Sequence, residues 1–86
     1  MKLIIVIVND NDSEILTQAF TAANFRVTRV ASTGGFLRRG VATLLLGVED
    51  PQVDSVIQTV RDALPAKGEA KRATLFVLPV NHYEQV

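Results

Sequence analysis

The sequence contains no cysteine and no tryptophan, and it has a single histidine, His82. Without cysteine there can be no disulfide, no thiolate nucleophile and no cysteine-ligated metal. His82 lies in the polar tail "NHYEQV", where no serine, lysine or carboxylate accompanies it in a catalytic spacing. We therefore expect no catalytic residue, no metal ligand and no enzymatic activity.

An excess of charge is also missing, because nine basic residues balance nine acidic ones. Proteins that wrap nucleic acid or bind anionic membranes need a positive excess, so neither a nucleic acid polymer nor a membrane is an expected partner. The longest apolar run, residues 3–8, is shorter than a signal-peptide core or a membrane span. It predicts a buried first strand, and we expect a cytoplasmic protein.

The chain is long enough for one domain, which we place at residues 1–86. Strands are predicted at residues 3–8, 25–31, 43–48 and 74–80. The first helix has an apolar stripe at helical spacing and the second has another. The first stripe comprises Ile15, Leu16, Ala19, Phe20 and Ala23, and the second comprises Val53, Val56, Ile57, Val60 and Leu64.

Short polar residues mark the ends of these helices. Asp10 and Asp12 precede the first stripe and are interpreted as capping residues rather than as an acid–base pair. Asn24 is predicted to end that helix, because asparagine tolerates a left-handed conformation. Asp50 is predicted to cap the second helix, with Pro51 as the first helical residue.

The element order β-α-β-β-α-β predicts an α+β fold, the ferredoxin-like sandwich of a four-stranded antiparallel sheet with two helices on one face. The other face would be uncovered, and its strands are too apolar to face water, so we expect self-association. The two central strands carry no aromatic residue, which argues against a base-stacking platform for RNA.

The most unusual stretch is "STGGFLRRG", which lies between the second and third predicted strands. The pair Gly34 and Gly35 permits a nest of backbone N–H groups around an anion. Arg26 and Thr28 on the preceding strand could add a charged and a neutral donor, and Phe36 offers a stacking surface for a flat ring. These residue types fit a nucleotide. They also fit an alternative without a ligand, in which the glycines form a turn, Phe36 packs on a neighbouring subunit and the arginines are solvated.

A wider set of segments carries a family resemblance. "MKLIIVIVNDNDS", "NFRVTRVASTGGFLRRG", "TLLLGVED" and "TLFVLPVNHYEQ" resemble the PII-like cyclic di-AMP receptor family. The resemblance implies a homotrimeric, non-catalytic signalling protein that binds cyclic di-AMP between subunits, without a cofactor, and reports it to a protein partner. The ligand-binding positions that it implies are Asn24, Arg26, Thr28, Gly35, Phe36, Leu37, Gly47 and Gln85.

Two features depart from the family pattern. Val41 occupies a position where binding members typically carry an asparagine that hydrogen-bonds adenine. The connection "PAKGEAKR" is much shorter than the family's usual loop before the last strand. A second hypothesis therefore stands beside the first: a structural or protein-interaction trimer that has lost cyclic di-AMP binding or binds another adenine nucleotide.

Overall fold

Four strands and two α-helices follow one another in the predicted order in the computed structural model, which describes residues 1–30, 40–65 and 71–86. The elements are β1 Lys2–Asn9, α1 Asp10–Ala22, β2 Thr28–Val30, β3 Val41–Val48, a 3₁₀ turn Asp50–Gln52, α2 Val53–Ala63 and β4 Ala73–Pro79. The second strand begins at Thr28, three residues after the predicted start at 25, and its predicted last residue, 31, lies outside the described residues. The third strand begins two residues before the predicted start.

The strands form one antiparallel sheet in the order β2-β3-β1-β4. The central strand β1 pairs with β3 from Lys2 opposite Val48 to Asn9 opposite Val41. On its other side β1 pairs with β4, where Ile5 lies opposite Phe76. The predicted ferredoxin-like α+β fold is confirmed. Pro79 ends the edge strand β4, where a missing N–H is tolerated, as expected.

The core lies between the helices and one face of the sheet. Alternate residues of β1, beginning at Ile4, are buried, and so are alternate residues of β3, beginning at Ala42. The intervening residues point to the other face and are mostly half-buried, because they shield one another but no described element covers them. We call this surface the open face. Its residues include Leu3, Ile5, Ile7, Leu45, Phe76 and Leu78.

The helices bury different shares of their predicted stripes. In α2 all five predicted positions are buried or half-buried, as expected. In α1 the buried face is narrower and includes Ser13, Leu16 and Phe20. Ile15 is 44% exposed and Ala23 is exposed, so the prediction was wrong for these two positions.

The predicted capping roles need correction. The residue before α1 is Asn9, and α1 itself begins at Asp10, so neither aspartate is the cap. Asp10 instead forms an ion pair with Arg29, and Asp12 forms one with Arg72. At the second helix the cap of the 3₁₀ turn is Glu49, whose N–H donates to the Gln52 side chain at 2.9 Å. Asp50 accepts instead from the N-terminal amine at 3.3 Å.

Candidate functional site

A cavity of about 500 Å³ opens on the open face, at the end of the sheet where β1 begins. Three strands build its floor. Leu3 of β1 lies opposite Gly47 of β3, and Leu45 of β3 lies opposite Thr28 of β2. Gly47 leaves the backbone of β3 bare at this point. A flat ligand can therefore approach the strand closely there.

The turn after α1 directs Arg26 into this cavity. Asn24 has φ = 67°, the left-handed conformation expected of it. Its N–H donates to the carbonyl of Thr21 at 3.0 Å, and the N–H of Phe25 donates to the carbonyl of Phe20 at 2.9 Å, the two bonds of a Schellman motif. Phe25 thereby packs on the core while Arg26 points the opposite way.

The C-terminal tail forms the far wall. The N–H of Val80 donates to the carbonyl of Met1 at 3.1 Å, which attaches the start of the tail beside β1. Beyond that bond, Tyr83 and Gln85 line the cavity. Both are solvent-exposed, so they can meet a ligand without displacing core side chains.

Four of the eight predicted ligand-binding residues therefore come together around one cavity. They are Arg26, Thr28, Gly47 and Gln85. Asn24 is not among the described lining residues; it lies in the turn that precedes Arg26. Gly35, Phe36 and Leu37 lie outside the described residues, as does Gly34.

Sequence reasoning missed Tyr83, Val80 and Met1, which also line the cavity. Tyr83 carried a signal, since it is the chain's single tyrosine and the one aromatic residue of the tail. Met1 and Val80 carried no such sequence signal. They meet at the cavity through the backbone hydrogen bond between them. Tyr83 supplies a flat ring and a phenolic hydroxyl, both suited to a nucleobase.

The lining residues determine what the cavity can hold. Arg26 offers a planar cation that matches phosphate geometry, and Thr28 adds a hydroxyl donor. Gln85 presents an amide, which can both donate to and accept from a nucleobase edge. Leu3 and Leu45 provide an apolar surface. The combination suits an anion joined to a flat, hydrogen-bonding ring.

Val41 lies on the same strand as Gly47 but at its opposite end, opposite Asn9 of β1. The intervening residues span about 20 Å of extended strand. Val41 is half-buried on the open face and does not line the described cavity. A ligand in the cavity of one subunit would therefore not meet the same subunit's Val41.

A second cavity of similar size, about 510 Å³, lies between α2 and β4. Arg61, Lys71 and Arg72 line it together with apolar residues of the helix. Arg72 is already engaged, because its guanidinium contacts Asp12 at 2.9 Å and the carbonyl of Pro65 at 3.3 Å. Of the predicted ligand-binding residues that the structure describes, none lies here.

Within residues 1–30, 40–65 and 71–86, no three acidic or histidine side chains gather as a metal site. In the same part of the chain, no helix combines the length and the apolar character needed to cross a bilayer.

A known structure and a protein-family model each match this chain over most of its length. A crystal structure of a functionally unknown protein from Pediococcus pentosaceus ATCC 25745 superposes with a TM-score of 0.77. The two sequences are 33% identical, and the match covers 99% of this chain and 96% of the other. The family model described as cyclic-di-AMP receptor matches residues 1–70, which include β1 to α2 and the cavity residues on β2 and β3. The chain belongs to the cyclic-di-AMP receptor family.

Proposed function

We propose that this protein is a cytoplasmic sensor that binds cyclic di-AMP at the interfaces of a homotrimer and passes the signal to a protein partner. The observation that carries the proposal is the convergence of Arg26, Thr28, Gly47 and Gln85 on one open cavity. The protein acts by binding, and its role requires no cofactor and no turnover of the nucleotide.

The cavity residues divide between the two chemical parts of such a ligand. Arg26 and Thr28 take a phosphate, Arg26 through charge-assisted hydrogen bonds. The adenine ring lies over the bare backbone at Gly47, with Leu3 and Leu45 beneath it. Gln85 is placed to pair with an adenine edge, and Tyr83 is available as a second ring surface. The segment with Gly35, Phe36 and Leu37 contributes the remaining contacts that the family resemblance implies.

The open face supports assembly into a trimer. Phe76 is 50% exposed and Leu78 43% exposed, and they flank half-buried side chains of β1 on the same surface. A continuous apolar sheet face of this kind marks a protein interface. The position of Val41, about 20 Å along β3 from Gly47, supports a ligand site that residues of neighbouring copies complete.

Signalling follows from ordering around the ligand. A ligand can shift a conformational equilibrium only by binding one state more tightly than another. Residues 32–40, "STGGFLRRG", include the glycine pair and Phe36. A phosphate held by Arg26 offers these residues an anion to bind. The partner protein then recognises the ordered state.

The proposal is tested by isothermal titration with cyclic di-AMP, with ATP and AMP as competing nucleotides. We expect saturable binding at one ligand per subunit. Arg26→Ala should weaken it about ten- to a hundredfold, since hydrogen bonds to charged groups contribute about 1.5–3 kcal/mol. Arg61→Ala, an exposed arginine on α2, is the matched control and should bind normally. Absence of heat from folded wild-type protein would overturn the proposal, and undiminished affinity in Arg26→Ala would remove the phosphate contact.

Val41 favours a second candidate, a trimer that binds another adenine nucleotide or acts only through protein contacts. A valine cannot make the hydrogen bond that asparagine makes in binding members, and an unpaired base edge costs about 1–3 kcal/mol. If this alternative holds, wild-type protein binds cyclic di-AMP weakly or not at all. Val41→Asn should then raise the affinity by about one to two orders of magnitude.

A further inference from the structure

Asp10 attaches both sides of the β2–β3 hairpin to the start of α1. Its carboxylate oxygen Oδ1 lies 3.5 Å from Nη2 of Arg29 on β2. Its N–H donates to the carbonyl of Gly40, the residue before β3, at 2.8 Å. Gly40 has φ = 83°, a conformation that glycine adopts without strain. One residue outside the hairpin therefore contacts both of its sides.

The edge strand β2 benefits from such an attachment. Its described part is three residues, Thr28–Val30, which lie at the edge of the sheet and pair with β3 alone among the described strands. Its residues Thr28 and Val30 point to the open face, so Arg29 between them points towards the helices. Arg29 thus lies outside the cavity while its neighbour Thr28 lines it. Because Arg29 and Thr28 are neighbours in one strand, a contact that fixes Arg29 also fixes the position of Thr28 in the cavity wall.

We infer that Asp10 is a positioning residue for the ligand site: through Arg29 it holds β2, which carries Thr28 into the cavity and follows Arg26 by two residues. The inference rests on the proposed function. Both side chains of the ion pair are about half exposed, so the pair contributes little to global stability. Its effect is local. Because the ion pair already holds β2 before the ligand binds, β2 loses less conformational entropy on binding.

The test compares Asp10→Asn with Asp54→Asn in the trimer. Asp54 also lies in the first turn of its helix, so both variants lose the same kind of favourable charge near a helix N-terminus. Only Asp10 faces β2. We expect Asp10→Asn to weaken cyclic di-AMP binding up to about fivefold, the factor that an exposed ion pair can produce, with a nearly unchanged Tm. Asp54→Asn should bind like wild type.

Arg29→Gln should produce the same loss, and the double variant Asp10→Asn/Arg29→Gln should lose no more than either single variant. Additive losses, or equal losses in Asp10→Asn and Asp54→Asn, would overturn the inference. Hydrogen exchange without ligand supplies a second readout. The amides of β2 should exchange faster in Asp10→Asn than in Asp54→Asn.

The two proposals fail in different ways. If wild-type protein does not bind cyclic di-AMP, the proposed function fails, and exchange at β2 alone decides whether Asp10 holds the strand. Unchanged β2 exchange in Asp10→Asn then overturns the inference. If wild type binds and Asp10→Asn binds equally well, the inference fails while the proposed function stands.

Discussion

The rings of Phe20 and Phe25 meet edge to face, with centroids 6.5 Å apart and planes at 80°. Phe20 is completely buried near the end of α1, and Phe25 follows the left-handed Asn24. This contact and the two hydrogen bonds of the Schellman motif fix the direction in which the chain leaves the helix. Because side chains alternate in extended backbone, burying Phe25 places Arg26 on the cavity side.

Asn24 tests that turn. Asn24→Ala should lower the free energy of unfolding by about 1 kcal/mol, because a left-handed conformation is unfavourable for residues with an ordinary Cβ. Asn24→Gly should stay close to wild type, since glycine adopts this conformation freely. Urea denaturation at one fixed protein concentration measures both. Equal loss in the two variants would mean that the asparagine side chain, rather than its backbone conformation, stabilises the turn.

Gly47 separates binding from folding. A Cβ built at this position meets its nearest atom, Cε of Met1, at 3.6 Å, which is ordinary contact distance. Gly47→Val should therefore leave stability unchanged or slightly raised, because valine suits a strand. Its side chain occupies the cavity floor, so cyclic di-AMP affinity should fall by about tenfold or more. Thermal unfolding and titration of the same preparation check both parts, and unaltered affinity would place the ligand elsewhere.

The ion pair of Arg72 with Asp12 connects the residue before β4 to the first turn of α1. Asp12 is only 8% exposed, so removing the arginine leaves a poorly solvated carboxylate. Arg72→Ala should lower the free energy of unfolding by about 1–3 kcal/mol, measured in urea. Arg61→Ala is the control, with an expected change within about 0.5 kcal/mol.

A cycle with Asp12→Asn tests this assignment further. The double variant Asp12→Asn/Arg72→Ala should lose less than the two single variants together, because neither partner is then left alone. Simple additivity would show that the two residues contribute independently.

The proposed trimer predicts a clear effect of charge on the open face. Phe76→Lys places an ammonium group in the apolar surface opposite Ile5. We expect this variant to sediment near the 9.4 kDa of one subunit, whereas wild type sediments near three times that mass. Ser55→Lys on the exposed side of α2 carries the same charge change and should remain trimeric. A trimeric Phe76→Lys would remove this face from the interface.

Sequence reasoning succeeded where the determinants were local. The apolar spacing of α2, from Val53 to Leu64, predicted its buried face, and Asn24 predicted the end of α1 through its tolerance of a left-handed backbone. It failed at Asp10 and Asp12, which resemble capping residues in every local respect. Their partners are Arg29 on β2 and Arg72, the residue before β4, and only the folded arrangement brings those charges together.

The candidate site shows the same division. Family resemblance implied Arg26, Thr28, Gly47 and Gln85 as ligand-binding positions, but it did not indicate that Tyr83 shares their cavity. The backbone bond from Val80 to Met1 brings the tail there. The separation of Val41 from Gly47 likewise follows from the extension of β3 back to Val41, two residues before the start that the sequence predicted.

The sequence by itself determined the order of strands and helices, because apolar periodicity and turn residues act over a few neighbouring positions. Only the tertiary structure decided which charges pair, which set of alternate side chains in an apolar strand faces the helices, and which residues enclose the cavity. Those outcomes depend on contacts between segments far apart in the chain. The energy of such a contact depends on the distance and burial of both partners, and only the folded chain sets these quantities.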